Sequence, residues 1–160
     1  MQNLAEGLMR MVFAAVLMLS VPAVLNAQGR YGPNPREVQF SSRLGIDLDA
    51  MTERESGLFY RDDPAGTGDP AGLQDTVLME ATGYLVNREA FYAGRMTVTL
   101  GSGRVVAGLM EGLVGVRAGG TRWLVLPADL GYGSDEVEGV PPDAVLVFRL
   151  RVSEVQQAGN

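Results

Sequence analysis

The 160-residue chain has no cysteine, no histidine and no lysine. Without cysteine there are no disulfides or thiolate nucleophiles, and without histidine there is no imidazole base and none of the common structural zinc sites. Chemistry is left to carboxylates, hydroxyls, backbone groups and shape, and no metal or cofactor is expected. All thirteen basic residues are arginine, against nineteen acidic ones, for a net charge of -6. A nucleic-acid surface needs clustered positive charge, so that partner class is set aside. The lack of cysteine does not report a compartment, because such a chain is at home in cytosol and periplasm alike. At 46% apolar and 20% charged, the chain can bury one ordinary core, and it is read as one domain with tails.

Only one stretch is hydrophobic for long. Met11 to Gln28, MVFAAVLMLSVPAVLNAQ, follows Arg10, is broken by Pro22 and closes on Leu25-Asn26-Ala27. This is the outline of a secretory signal with a small-residue cleavage site. The stretch 8–27 also has about the 20 residues a membrane span requires, so the alternative is a retained anchor helix that touches the membrane. Either way, residues 1–27 form a signal peptide or N-terminal apolar helix. Arg10 on the cytoplasmic side then leaves the rest in the periplasm or on the extracytoplasmic face of the membrane.

Residues 28–54 are polar, carry Pro33 and Pro35 and keep no sustained period; they are read as a linker or arm, in which Val38 to Leu48 docks on a partner or on the domain. Asp47 and Asp49 lack the glycine-containing loop and distal glutamate of a calcium site. The pattern changes at residues 55–156, and 157–160 are a tail. SGLFYRD, TVLMEATGYLV, RMTVTL, TRWLVLP and AVLVFRLRVSEV read as strands separated by turn-rich segments. Val106, Leu109, Leu113 and Val116 recur at helical spacing, giving a short helix closed by Gly119-Gly120. Short connections and one buried helix imply an α+β domain with an antiparallel sheet folded over that helix. Gly101, Gly103 and Gly108 do not have dinucleotide-loop spacing, and the segment is read as a tight turn between strand and helix.

In order and spacing these pieces resemble the FKBP-type peptidyl-prolyl isomerases. The resemblance rests on ATGYL at 81–85, on Gly108-x-x-Glu111-Gly112, on Leu-Gly-Tyr-Gly at 130–133 and on Pro141-Pro142 followed by the last strand. It implies an antiparallel half-barrel wrapped around the helix, with Trp123 on a strand and the loop from Tyr132 to Pro142 at the open end.

By this resemblance Tyr132, through its hydroxyl, and Val106, through its backbone N–H, are the catalytic groups. Phe91, Met96, Val105, Leu109, Pro141 and Phe148 would bind the substrate proline. Three departures from the family stand out. Ala81 is where a pocket tyrosine is usual, Tyr92 is where an aspartate is common, and Leu109 replaces a tryptophan floor. The Tyr92 to Arg95 segment is also several residues shorter than the usual bulge, and it reads as a clipped turn. Two functions follow: an exported isomerase and chaperone of weak activity on proline-containing segments, or a non-catalytic subunit that binds and stabilises a membrane or periplasmic protein complex.

Overall fold

The computed structural model describes residues 33–159. The apolar run at 11–27, and the helix expected there, lie outside the described residues; within them, no helix is long and apolar enough to cross a membrane.

The described residues form six strands: β1 (Thr52–Glu53), β2 (Phe59–Asp62), β3 (Thr76–Leu85), β4 (Ala90–Thr99), β5 (Thr121–Leu126) and β6 (Leu146–Gln156). They form one sheet in the order β1-β2-β5-β6-β3-β4, and each described pairing is antiparallel. On β3, Val77, Met79, Ala81 and Leu85 are buried on one face. Leu124 and Leu126 of β5 and Leu146, Phe148 and Leu150 of β6 join the same core.

The α-helix among the described residues, α1 (Ala107–Leu113), closes over this face. Its glycines explain how near it comes. A Cβ at Gly108 or Gly112 would lie closer than 3.0 Å to the side chains of Leu126 and Leu124 respectively. With glycine one turn apart, the helix seats on β5 and sends Leu109 and Leu113 into the core. The helix is shorter than the apolar spacing implied. Val106 is its N-cap, Val114 its C-cap, and Gly115 at φ +85° turns the chain away. Val116 therefore reaches the core from the turn, while Gly119 and Gly120 belong to the entry of β5, where Gly119 N–H donates to the Val152 carbonyl.

The expected turn at Tyr92 to Arg95 is not a turn. β4 runs through it without a break and pairs with β3 from Thr99 back to Ala90. The segment read as shorter than the family's bulge thus continues the strand.

Val125, Val145 and Val147 face the other side of the sheet and are also fully buried. Phe40, Leu44 and Ile46 of the preceding segment pack there, and Ser41 N–H donates to the Val86 carbonyl at 2.8 Å. This second cluster is why Leu124 to Leu126 and Val145 to Phe148 are unbroken apolar runs: a strand buried on both faces loses its alternation.

Asp75, 5% exposed, fixes the start of β3. Its carboxylate accepts from Gly72 N–H and Ala158 N–H, both at 2.7 Å. These bonds, Gly72 first, hold its pKa below the ordinary carboxylate value. A depressed folded pKa stabilises the fold above the unfolded value, and the contribution fades as pH falls through the folded one. Denaturant unfolding of the native chain and Asp75→Asn should therefore differ most near neutral pH. The difference should shrink between about pH 5 and pH 2, and a gap that stays constant over that range would rule this linkage out.

Candidate functional site

The cleft lies on the helix-bearing face, where β4, the start of α1 and the 131–133 turn meet. Its first determinant is an irregularity in β4. Gly83 pairs with Tyr92 while Tyr84 pairs with Ala90, so Phe91 is an extra residue without a partner. Successive strand residues normally point to opposite faces, and a bulge re-aims one of them. As a result Phe91 and Tyr92, neighbours in sequence, both line the cleft.

Gly83 is the second determinant. Its cross-strand partner on β6 is Phe148, and the rings of Phe91 and Phe148 meet edge to face above it, 5.6 Å apart at 88°. A Cβ on Gly83 would stand 2.5 Å from Phe91 Cζ and 3.0 Å from Phe148 Cε1. The glycine of the ATGYL segment is thus the space into which the aromatic pair settles.

Tyr132 arrives from the opposite side. After the short 3-10 turn Ala128–Leu130, Gly131 N–H and Gly133 N–H both donate to the Ala128 carbonyl, and Gly133 adopts φ +57°. A side chain is strained at that φ, so the glycine lets the chain fold back and present Tyr132. The Tyr132 ring sits edge-on to Phe91 at 6.4 Å and 79°, a favourable aromatic arrangement.

The cleft encloses about 420 Å³ and is lined by Phe91, Tyr92, Val105, Val106, Tyr132 and Phe148, with Leu109, 3% exposed, beneath them. Gly103 and Arg104 complete its rim. Val106, as N-cap, uses its carbonyl for Leu109 N–H at 3.0 Å. Among the described residues, neither the Val106 N–H nor the Tyr132 hydroxyl has a partner. The site thus holds two unspent hydrogen-bond donors on an apolar wall, with no nucleophile and no general base between them.

Six of the eight residues singled out from the sequence therefore come together. Met96 does not line this cleft; it packs against the main core farther along β4. Pro141 lies in a neighbouring groove with Val140, Pro142, Leu85 and Glu89, so it borders the 134–140 loop and not the cleft itself. Gly103, read from the sequence as part of a tight turn, and Arg104 were not expected at the cleft because a Gly-Ser-Gly-Arg turn reads only as a connection.

Tyr92 is the other surprise. Its ring lies along β4 over Gly94, with its hydroxyl 3.3 Å from the position a Gly94 Cβ would take and donating to the Arg95 carbonyl at 3.4 Å. Gly94 is the cross-strand partner of Ala81. An aromatic ring is therefore present one strand over from the alanine that stands where the family's pocket tyrosine is usual.

Comparison with known proteins agrees with this geometry. The family model described as FKBP-type peptidyl-prolyl cis-trans isomerase matches residues 68–153. The FK506-binding protein of Neisseria meningitidis is 35% identical over 107 residues, covering 63% of this chain and 98% of that protein. The FKBP-type peptidyl-prolyl cis-trans isomerase FkpA of Escherichia coli is 33% identical over 106 residues, covering 64% of this chain but 39% of its own length. The matched stretch is only 22% of FK506-binding protein 4 from Chaetomium thermophilum. The crystal structure of FkpA superposes with a TM-score of 0.63 at 29% identity, covering 73% of this chain and 56% of that one. With the fold, the aromatic cleft and the matched residues in agreement, the chain belongs to the FKBP-type peptidyl-prolyl cis-trans isomerase family.

Proposed function

We propose that the chain is a weak peptidyl-prolyl cis-trans isomerase acting on exported polypeptides. Rotation about an X–Pro bond faces a barrier near 20 kcal/mol because amide resonance must be broken, and uncatalysed it takes tens of seconds. No covalent chemistry is needed to lower it. A site that takes the amide out of water and favours its twisted form stabilises the transition state alone. The proline ring would lie against Phe91, Phe148 and Leu109. The Val106 N–H would donate to the carbonyl following the proline, and the Tyr132 hydroxyl to a second substrate carbonyl at the rim.

The observation that carries this reading is the pair of unpartnered donors beside the Phe91–Phe148 edge contact. Export is supported by the apolar run at 11–27 with its small-residue close. Weakness is supported by Leu109 where the family usually has tryptophan, and by Ala81, only 1% exposed, where it has tyrosine. Those two replacements also support a second reading, a partner-binding subunit that has kept the frame of the site without its chemistry.

A protease-free assay of cis-to-trans relaxation in a proline tetrapeptide separates the two. Tyr132→Phe should slow the catalysed rate about tenfold, as expected for one hydrogen bond made in the transition state. Gly83→Ala should abolish it, because the methyl group displaces both rings. No acceleration by the native chain would favour the partner-binding subunit, and an acceleration untouched by Tyr132→Phe would take Tyr132 out of the catalytic role.

A further inference from the structure

The continuous β4 lies on the outer edge of the sheet, with β3 as its neighbour on one side and no described strand on the other. Two hydrogen bonds set the phase of its ladder: Leu100 N–H to the Asp75 carbonyl at 2.9 Å, and Leu85 N–H to the Glu89 carbonyl at 2.8 Å. Because antiparallel partners alternate between bonded and non-bonded pairs, the bonds to β3 fall at Val98, Met96, Gly94 and Tyr92. The main-chain groups of Ala93, Arg95, Thr97 and Thr99 therefore point away from the sheet. Two of their carbonyls are occupied, that of Thr99 by Ser102 N–H and that of Arg95 by the Tyr92 hydroxyl. The four N–H groups, and the carbonyls of Ala93 and Thr97, have no partner among the described residues.

This edge runs into the cleft. A groove of about 610 Å³ lies between Thr97 to Thr99 and Ser102 to Val105, and Arg104 and Val105 line both this groove and the prolyl cleft. The charge there opposes that of the whole chain. Arg95 and Arg104 are exposed and, among the described residues, have no carboxylate partner, while the neighbouring Glu80 is 3.7 Å from Arg151.

We propose that the β4 edge binds an extended, acidic segment of the polypeptide whose proline occupies the cleft, adding it as a seventh strand. Strand addition supplies affinity through main-chain hydrogen bonds and is indifferent to most of the client sequence. A second copy of this chain is the poorer occupant. Pairing two β4 strands about their middle sets Arg95 against Arg95, and like charges directly opposite are destabilising. An acidic client strand instead meets Arg95 along the edge and Arg104 where it enters the cleft. The proposal rests on the isomerase reading for the position of the proline, but not for the strand itself.

The test uses the full chain and three probes: the tetrapeptide Ala-Leu-Pro-Phe, an unstructured acidic peptide of about twelve residues containing it, long enough to run along the edge at roughly 3.3 Å per residue, and the same peptide N-methylated at alternate flanking residues. The long peptide should bind at least about tenfold more tightly than the tetrapeptide, as expected for two or more added main-chain hydrogen bonds. It should also slow exchange of the Ala93 and Thr97 amides. N-methylation should remove both effects. Thr97→Pro deletes an N–H that β3 does not use, so it should weaken the long peptide while leaving tetrapeptide turnover unchanged.

Equal affinity for the long peptide and the tetrapeptide, indifference to N-methylation, or a concentration-dependent dimer that protects the same amides would overturn the proposal. Tetrapeptide turnover reads the isomerase function separately. Its absence, with the amides still protected by the long peptide, would remove the isomerase and leave the edge site standing.

Discussion

Replacing Arg122 with methionine should lower the unfolding free energy by about 3 kcal/mol, the low end of what removing one partner of a buried ion pair costs. Arg122, 4% exposed, ties its own strand β5 to β2 and to the end of α1. Its Nε and Nη2 donate to the two oxygens of Asp62 on β2, each at 2.6 Å. Its Nη1 donates to the carbonyls of Gly112 and Val114 at 2.8 and 2.9 Å, where the helix ends with orphan acceptors. The guanidinium also lies over the Tyr60 ring, 4.7 Å from its centroid. Methionine keeps the apolar length but strands the two carbonyls and leaves the Asp62 carboxylate, 27% exposed, without its cation. That partial exposure is why the lower figure is the better expectation. Asp62→Asn should also destabilise, because it leaves a buried guanidinium facing a neutral amide. A double-mutant cycle in urea measures the coupling directly. A loss below about 1 kcal/mol for Arg122→Met would mean that water repairs the helix end, and the clamp would then have no part in seating α1 beneath the cleft.

The frame of the molecule was legible because it depends on patterns that sequence carries openly. Alternation marks β3, a Gly-x-x-x-Gly stripe marks the face of α1 that meets β5, and Gly-Tyr-Gly marks a turn that needs a positive φ at Gly133. The cleft was legible where residues fall on such elements, as Phe148, Val106 and Tyr132 do. It was illegible where register decides. Whether Tyr92 faces the cleft or solvent depends on the extra residue at Phe91, and a bulge has no signature in composition. For the Tyr92 to Arg95 segment, counting residues does not say whether a short connection turns or straightens. Met96 was assigned to the pocket from the resemblance alone, and register places it against the core and not along the cleft. The second cluster was half legible: Val38 to Leu48 read as docking on a partner or on the domain, and the unbroken apolar runs of β5 and β6 are the surface that this segment covers.

Rebuilding the pocket should raise kcat/KM on a proline tetrapeptide about thirtyfold, provided three positions change together. An aromatic side chain buries about 150 to 250 Å². At about 25 cal/mol per Å², recovering a quarter of such contact at two positions is worth on the order of 2 kcal/mol, or about thirtyfold in rate. Leu109→Trp supplies the floor. Ala81→Tyr alone should not supply the wall, since Ala81 is 1% exposed and the Tyr92 ring already lies across its partner Gly94. Two tyrosines would compete for one place, and overpacking a core costs about 1 to 3 kcal/mol. Adding Tyr92→Asp clears the ring and restores the carboxylate that the family commonly holds at this position, able to accept a hydrogen bond from the new tyrosine hydroxyl. The expected order of activity is therefore Ala81→Tyr below the native chain, Leu109→Trp modestly above it, and the triple variant highest. Each should be measured beside its urea midpoint, so that a loss of fold is not read as a loss of catalysis. A triple variant that folds and gains nothing would show that Tyr92 is not a displaced wall, and would favour the reading in which the two donors serve something other than a prolyl ring.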